Sequence, residues 1–405
     1  MKLFVLLSRF PYPLEKGDKL RAFHQIKELS KHHEITLCAL SDQKVEQASI
    51  DKLQEYCKSI HVIRLPKWKI YWNLFWQLLF TDKSLQVVYF YNKSAQKKIL
   101  KLIQEHQPGH IYCQLIRVAE YIKNIPIPKT LDYMDALARG MERRIAQSPF
   151  YIKWFLTTET IRLKRYEHQI FDAFDNLTII SEQDKNLIVH IKNDTIQIIP
   201  NGVDYEMFKF QENSEKKYDL IFTGNMAYPP NIDSVIYLVN EVMPLVWKKY
   251  PDVKLVIAGA EPDKKVLQLA SKNVEITGWV KDITTYYTAA KIFIAPMQIG
   301  TGLQNKLLEA MAMKLPCVTS QLANNALGAE HQNSILIGNQ PEEYYEHIIS
   351  LLENKTLYNN IATSGYDFVK KNYTWEGTTQ KLNELIINTK NNERITTTNR
   401  SGLGK

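Results

Sequence analysis

The stretch Gly300-Thr301-Gly302-Leu303-Gln304-Asn305-Lys306-Leu307-Leu308-Glu309-Ala310-Met311-Ala312-Met313-Lys314-Leu315-Pro316-Cys317-Val318-Thr319-Ser320 decides how this chain is read. A strand over 292–296 feeds a glycine-bearing turn, a helix carrying a lysine and a glutamate, and then a second strand. Leu307, Ala310, Met311 and Lys314 recur at the spacing of a one-sided helix, which a plain core explains. The core does not explain Lys306 and Glu309. Both stand close to a glycine turn whose backbone N–H groups suit an anion, at the place where an open α/β sheet puts a ligand. The competing reading makes them a solvent-facing pair, three residues apart and joined by a weak salt bridge.

Outward from that stretch, the second half alternates strands over 220–223, 254–258, 274–277, 292–296, 317–319 and 334–337 with helices over 233–250, 264–269, 283–290, 305–313 and 341–352. The first half has the same rhythm. Strands are expected over 4–8, 34–40, 61–65, 87–91, 110–113, 130–132 and 177–181, with a helix over 20–32 and a basic, aromatic helical region over 151–174. The pattern is that of two α/β domains built on mostly parallel sheets. Their boundary falls at Pro200-Asn201-Gly202-Val203-Asp204 and the polar stretch through Asp219. The expected division is 1–200, 201–370, a terminal helix over 371–390 crossing back to the first domain, and a polar tail over 391–405.

Composition agrees with two folded cores: 405 residues, 45% hydrophobic and 23% charged. The net charge of +8 favours anionic partners such as nucleotides, polyphosphates or an acidic membrane surface. The richest basic cluster, Arg139 to Arg144 with Arg162, Lys164 and Arg165 nearby, has no zinc-finger or helix-turn-helix signature, so nucleic acid is not an expected partner. Cys38, Cys57, Cys113 and Cys317 are isolated, as buried free thiols in a reducing compartment are, and no pair has metal-ligand spacing. The apolar run at Met1 to Leu7 stops before Arg9 without a cleavage pattern and reads as a first buried strand. No window has the length of a membrane span, so the expected location is the cytoplasm, peripheral at most to the inner face of the membrane.

Gly224-Asn225-Met226 ends the first strand of the second domain, and Pro229-Pro230-Asn231 leads into its first helix. A strand, a glycine turn and a helix in that order commonly hold phosphate, although glycine after a strand is also an ordinary turn. The three-glycine dinucleotide pattern and the phosphate-loop lysine motif are both missing, which argues against a dehydrogenase or a nucleoside triphosphatase. Paired with Gly300, Gly302, Lys306 and Glu309, the Gly224 turn gains specificity, because both turns belong to one sheet. A lysine there neutralises phosphate as a point charge, and a carboxylate accepts from sugar hydroxyls.

The ordered set Ile199-Pro200-Asn201-Gly202-Val203-Asp204, Gly224, Gly259, Gly278-Trp279-Val280, Ala295-Pro296, Leu308-Glu309-Ala310-Met311-Ala312 and Pro316-Cys317-Val318 resembles the retaining glycosyltransferases of family four, glycosyltransferase group 1. The resemblance spans much of the second domain. Gly17, after the first strand, agrees with it less specifically. It implies a GT-B architecture: α/β, two facing Rossmann-like domains with an interdomain cleft, the donor on the second domain and the acceptor on the first. It also implies a nucleotide-sugar donor and a saccharide or lipid-linked acceptor, with neither a cofactor nor a metal. Of the family's two glutamates, Glu309 matches the second, used toward the donor ribose, while Thr301 stands at the first. Sugar contacts then fall to Thr301 or to backbone amides from Gly300 to Leu303. Neither basic residue that the family sets against the diphosphate follows Gly224, where Asn225 and Met226 stand. Gln298 occupies a place where relatives often have arginine. The stretch most resembles the subgroup with a glycine-rich turn and an Asn-Lys pair before Leu-Leu-Glu, and that resemblance makes Lys306 the candidate for the diphosphate charge.

In the first domain, His24 and Asp132 join Lys306 as candidate catalytic groups, Asp132 because it ends a strand. Asp135 is read first as a helix N-cap, and His24 serves equally as a packed residue. Trp68, Trp72 and Trp76 form one helical stripe headed by Lys67 and Lys69. Aromatic stripes are ordinary core material, and burial in the first core is the expected reading, with a membrane-interface helix as the alternative. The expected activity is hexosyl-type transfer with retention, in cell-surface polysaccharide or glycoconjugate assembly. A non-catalytic derivative of the fold and a nucleotide-sugar epimerase are the alternatives.

Overall fold

A computed structural model describes residues 1–212, 214–300 and 302–401 of the 405. The chain divides into two compact units, one formed by Met1–Pro200 with the chain from Thr379 onward, the other by Asn201–Thr378.

The first unit holds seven strands: β1 (Lys2–Leu7), β2 (Glu34–Ser41), β3 (Ser59–Arg64), β4 (His110–Gln114), β5 (Lys129–Asp132), β6 (Asn176–Ile179) and β7 (Gln197–Ile198). They lie in the order β3-β2-β1-β4-β5-β6-β7, every pairing parallel. A sheet of this kind is covered on both faces, so its strands read as continuous apolar runs, and β1 is buried from Leu3 to Leu7. On one face Leu3, Val5 and Leu7 pack with Ala22, Ile26 and Leu29 of the helix Gly17–Leu29 and with Leu382 and Ile386 of the last helix, Trp375–Ser401. Asn176 fixes that helix further, donating to the Leu385 carbonyl and to the Thr389 hydroxyl.

The second unit holds β8 (Tyr218–Thr223), β9 (Leu255–Ala258), β10 (Val274–Ile276), β11 (Ala290–Ala295), β12 (Cys317–Thr319) and β13 (Leu336–Ile337). Their order is β10-β9-β8-β11-β12-β13, again all parallel. The order reverses between β8 and β11, which creates a crevice at the carboxyl ends of those two strands. All four cysteines are free and buried.

Three expectations are corrected here. The run 87–91 is not a strand but part of the helix Leu85–Phe90. A short apolar run cannot distinguish a buried strand from a buried helix. Long-range capping decides it: the Glu159 carboxylate accepts from the Ser84 hydroxyl and from the backbone N–H of Leu85 and Gln86. The helix over 233–250 is interrupted, running as Pro229–Tyr237, a π-helical turn at Leu238–Val242, and Met243–Lys249. Pro244 has no N–H to give the preceding turn, and the helix loosens there.

The tryptophan stripe is the third. Trp68, Trp72 and Trp76 are 67%, 62% and 44% exposed. The helix Lys67–Phe80 instead turns Ile70 and Leu74 toward the core, while Asn73 donates to the carbonyls of Val88 and Tyr91. A helix apolar on more than one side has no period that says which side faces in.

Candidate functional site

The site residues of the second unit gather where β8 and β11 end side by side. β8 runs into Gly224, whose φ of +151° suits glycine, and the chain then enters the helix Pro229–Tyr237. A Cβ on Gly224 would lie 2.6 Å from Asn231 Nδ2 and 3.2 Å from Lys306 Nζ. The absent side chain is thus the space those two groups occupy. Gly259, after β9, makes the same concession to the turn: a Cβ there would stand 1.7 Å from the Gly224 carbonyl oxygen.

Lys306 projects from the first turn of the helix Asn305–Ala312. Its Nζ donates to Asn231 Oδ1 at 2.6 Å and lies 4.2 Å from the centre of the Phe222 ring. Asn231 is buried and in turn donates to the Asn225 carbonyl at 2.8 Å. Burial pulls the Lys306 pKa down to about 7, with the charge of Glu309 opposing the shift. No ion pair joins Lys306 to Glu309 among the described residues, so the reading of the two as a solvent-facing salt bridge fails; each has its own partners.

Glu309 Oε2 accepts from the Tyr287 hydroxyl at 2.9 Å, and that hydroxyl lies 2.7 Å from Thr223 Oγ1. With Tyr287 donating to the carboxylate, the Thr223 hydroxyl donates to Tyr287, and a relay Thr223–Tyr287–Glu309 orients the carboxylate from inside the core. Burial pushes the Glu309 carboxyl up, while the Tyr287 hydrogen bond and Lys306 pull it back. Burial, and then the charge of Glu309, hold Tyr287 well above its ordinary value, so it remains a neutral donor.

The second turn closes over the same place. Gly300, at φ +101°, packs above Pro230 at the head of the helix Pro229–Tyr237. Gly302 and Leu303 are half-buried, with Leu303 against the core and the Gly302 carbonyl taken by the Gln304 amide at 2.9 Å. Thr301 lies outside the described residues. Asn225 is exposed, its amide oxygen accepting from Ala227 N–H and its amide nitrogen donating to Glu261. Gln298 is exposed and donates to the Pro296 carbonyl. Asn201 donates to Asn305 Oδ1 at 3.1 Å and so fixes the head of the lysine-bearing helix.

The first-unit candidates do not form a comparable site. Asp132 has no exposed surface. Its Oδ2 accepts from Arg21 Nε at 2.6 Å and from the Tyr112 hydroxyl at 2.9 Å. Oδ1 takes Arg21 Nη2, the Thr178 hydroxyl and the Met134 N–H. With both oxygens filled and no access, Asp132 is the anchor of a buried ion pair, which corrects its reading as a catalytic group. His24 is buried in the helix Gly17–Leu29, its ring edge-on to Phe23 at 5.4 Å. Asp135 is exposed and is not the N-cap, which is Ala136. Glu167 reaches across instead and accepts from Ala138 N–H at 3.1 Å, its own carboxyl pushed up to about 7 by burial.

The reading of the sequence missed Tyr287 and Thr223, and it named Asn231 only as a lead into a helix. Asn231 carried a signal, since a Pro-Pro pair starts the helix and leaves the asparagine in its first turn. Tyr287 carried none: its partners lie 64 residues before it and 22 after.

Two doubly wound parallel sheets, the second with this polar cluster at its switch point, define a chain of GT-B fold. Residues 217–354, which lie within the second unit, match the family Glycosyl transferases group 1. Over 392 residues the chain is 24% identical to the uncharacterized 44.6 kDa protein in the cps region of Klebsiella pneumoniae, covering 92% of this chain and 96% of that one. Among solved structures, sucrose-phosphate synthase of Thermosynechococcus elongatus superposes with a TM-score of 0.67 at 11% identity, over 95% of this chain and 98% of its own. Anabaena Alr3699/HepE in complex with UDP-glucose gives a TM-score of 0.63 at 14% identity, over 95% and 99%.

Proposed function

We propose that this chain transfers a sugar, with retention at the anomeric carbon, from a nucleotide-sugar donor to a saccharide or lipid-linked acceptor. The observation that carries the reading is the setting of Lys306: its ammonium rests on a neutral amide and an aromatic face at the Gly224 turn, with no carboxylate in an ion pair with it among the described residues. In this reading Lys306 meets the donor diphosphate, and Glu309, oriented by Tyr287, accepts from the ribose hydroxyls. The backbone from Gly300 to Leu303 receives the sugar. As the bond from the anomeric carbon to the diphosphate oxygen breaks, its electrons pass to the leaving group, whose growing charge Lys306 stabilises more than it stabilises the bound donor. One such donor contributes roughly 3 kcal/mol to the barrier in other oxyanion sites. The first unit takes the acceptor.

Binding of UDP-glucose by a neighbour of the same fold supports a nucleotide-sugar donor. The relative from a cps region supports a place in polysaccharide or glycoconjugate assembly. The test is a panel of nucleotide-sugars, each with and without candidate acceptors, followed by determination of the product's anomeric configuration. The expected result is acceptor-dependent release of nucleoside diphosphate and a product with the donor's configuration. An inverted product overturns retention, a stable donor epimer overturns transfer, and failure to bind any donor overturns the enzymatic reading.

A further inference from the structure

The first unit exposes an aromatic surface that includes none of the site residues described above. On the helix Lys67–Phe80, Trp68, Tyr71, Trp72, Phe75, Trp76 and Phe80 all face solvent, while Ile70, Asn73 and Leu74 hold the helix to the protein. A second cluster heads the helix Phe150–Phe171, where Phe150 is 85% and Trp154 76% exposed, with Tyr151 exposed between them. The two clusters are neighbours. Glu159, one turn and a half beyond Trp154, binds Ser84 and Leu85, and Arg162 lies 3.8 Å from Asp82, two residues after Phe80.

We propose that this surface docks on an anionic lipid bilayer. Charge favours lipid as the occupant. The sequence 67–80 contains no Asp or Glu, nor does 143–158, whereas Lys67, Lys69 and Lys153 lie within or beside the exposed rings. Among the described residues no carboxylate pairs with these three lysines, and Lys69 lies 5.3 Å from the Trp68 ring centre. Tryptophan and tyrosine joining apolar rings to an N–H or O–H suit the headgroup level of a membrane, where one end is dry and the other wet. The geometry favours lying flat. The helix Lys67–Phe80 has 14 residues, about 21 Å, against a hydrocarbon core of about 30 Å. No described helix is long and apolar enough to cross a membrane. An amphipathic helix with lysines at its margin is the form that rests in the interface plane.

A cavity of about 670 Å³ opens at the head of the same helix, beyond the carboxyl ends of β2 and β3, lined by Asp42, Gln43, Arg64, Pro66, Lys67 and Trp68. Arg64 and Lys67 place two cations there against the one carboxylate of Asp42, which already accepts from the Tyr89 hydroxyl, so the surface continues into a pocket of net positive charge that suits an anionic headgroup.

The experiment is flotation of the full chain with phosphatidylcholine vesicles, with and without 30% phosphatidylglycerol, at low and at 0.5 M salt. The expected result is flotation with the anionic vesicles, loss of it in high salt, and a blue shift of tryptophan emission on binding. The variants are Trp68→Ser/Trp72→Ser/Trp76→Ser and, separately, Lys67→Glu/Lys69→Glu/Lys153→Glu. All six side chains are on the surface, and each triple variant should keep the wild-type circular dichroism and lose at least ten-fold in vesicle partitioning. The proposal is overturned by absence of flotation, by equal flotation with neutral vesicles, or by wild-type partitioning of both variants. It is also overturned if the wild type is a dimer that the tryptophan variant turns into a monomer while neither form binds vesicles, since the surface is then an interface between copies.

Discussion

Raising the pH through the neutral range should loosen a nucleotide-sugar from the second unit, because the lysine assigned to its diphosphate loses its proton there. With Lys306 titrating at about 7 in the empty site, the protonated fraction falls from about three quarters at pH 6.5 to about one thirtieth at pH 8.5. A ligand that requires the cation then loses roughly 25-fold in affinity, about 1.9 kcal/mol, provided that the diphosphate lifts the bound lysine beyond pH 9.5 or so. The diphosphate of a nucleotide-sugar carries no group titrating in this range, so the change belongs to the protein. The sign runs the other way for the empty protein. Its lysine is depressed below the unfolded value of 10.5, so the folded chain holds fewer protons above pH 7 and gains stability as pH rises toward 10. Calorimetric titration at pH 8 in two buffers of different ionisation enthalpy should show uptake of about 0.9 proton per donor bound. Lys306→Met should bind weakly and show neither the uptake nor the slope. A wild type with flat affinity from pH 6.5 to 8.5 and no proton uptake would refute the assignment of Lys306 to the diphosphate.

Gly224→Ala should lower the stability of the second unit by about 1–3 kcal/mol, since it forces an alanine into a glycine conformation and against Asn231, and donor affinity should fall at least ten-fold. Thermal unfolding with and without donor measures both; unchanged binding would mean that the turn does not shape the site. Glu309→Gln should weaken a nucleoside diphosphate and its sugar conjugate by the same factor, roughly ten-fold, whichever sugar is attached. A loss confined to the conjugate would move Glu309 from the ribose to the sugar. Asp132→Asn should cost about 3–5 kcal/mol in chemical denaturation of the first unit, because it leaves the Arg21 guanidinium buried without its counter-ion. Donor affinity should not change; full stability with abolished turnover would restore the catalytic reading of Asp132.

The parallel sheets were legible because fully covered strands are apolar from end to end. All six strands of the second unit, from Tyr218–Thr223 to Leu336–Ile337, fall within two residues of where apolar runs between helical patterns put them. The failures share one cause, which is that periodicity reports which residues are apolar and not what covers them. The run at Val87 became a helix because Glu159, 75 residues from Ser84, caps it. The tryptophan stripe scored as core, yet the narrower set Ile70, Asn73 and Leu74 faces the protein. Asp132 stood at the end of a strand, as ligand-binding residues do, but Arg21 on the neighbouring helix had already taken its charge. Lys306 and Glu309 were singled out from glycine turns and family likeness, and the fold places both beside the Gly224 turn, whereas Tyr287 and Thr223, which orient Glu309, meet it only through the fold.

If Lys306 meets the diphosphate as proposed, its partners explain why a lysine in a poorly solvated place suits that task. A carboxylate at the place of Asn231, 2.6 Å from Nζ, would keep the ammonium charged but would also repel the diphosphate. The Asn231 oxygen and the Phe222 ring supply a dipole and a quadrupole, enough to position the ammonium without neutralising it. The consequence is a poorly solvated cation in the empty site, which is the physical content of its depressed pKa. In the proposed reading an arriving diphosphate supplies a counter-ion, so the burial that weakens the lysine in the unliganded protein strengthens its attraction to the ligand. Gly224 and Gly259 let this happen, because any side chain at either position would fill the space of Asn231 and Lys306 or push the turn away from the sheet. The glycines, the amide and the lysine therefore act as one device, and the legible glycine turn is the part of it that the sequence displays.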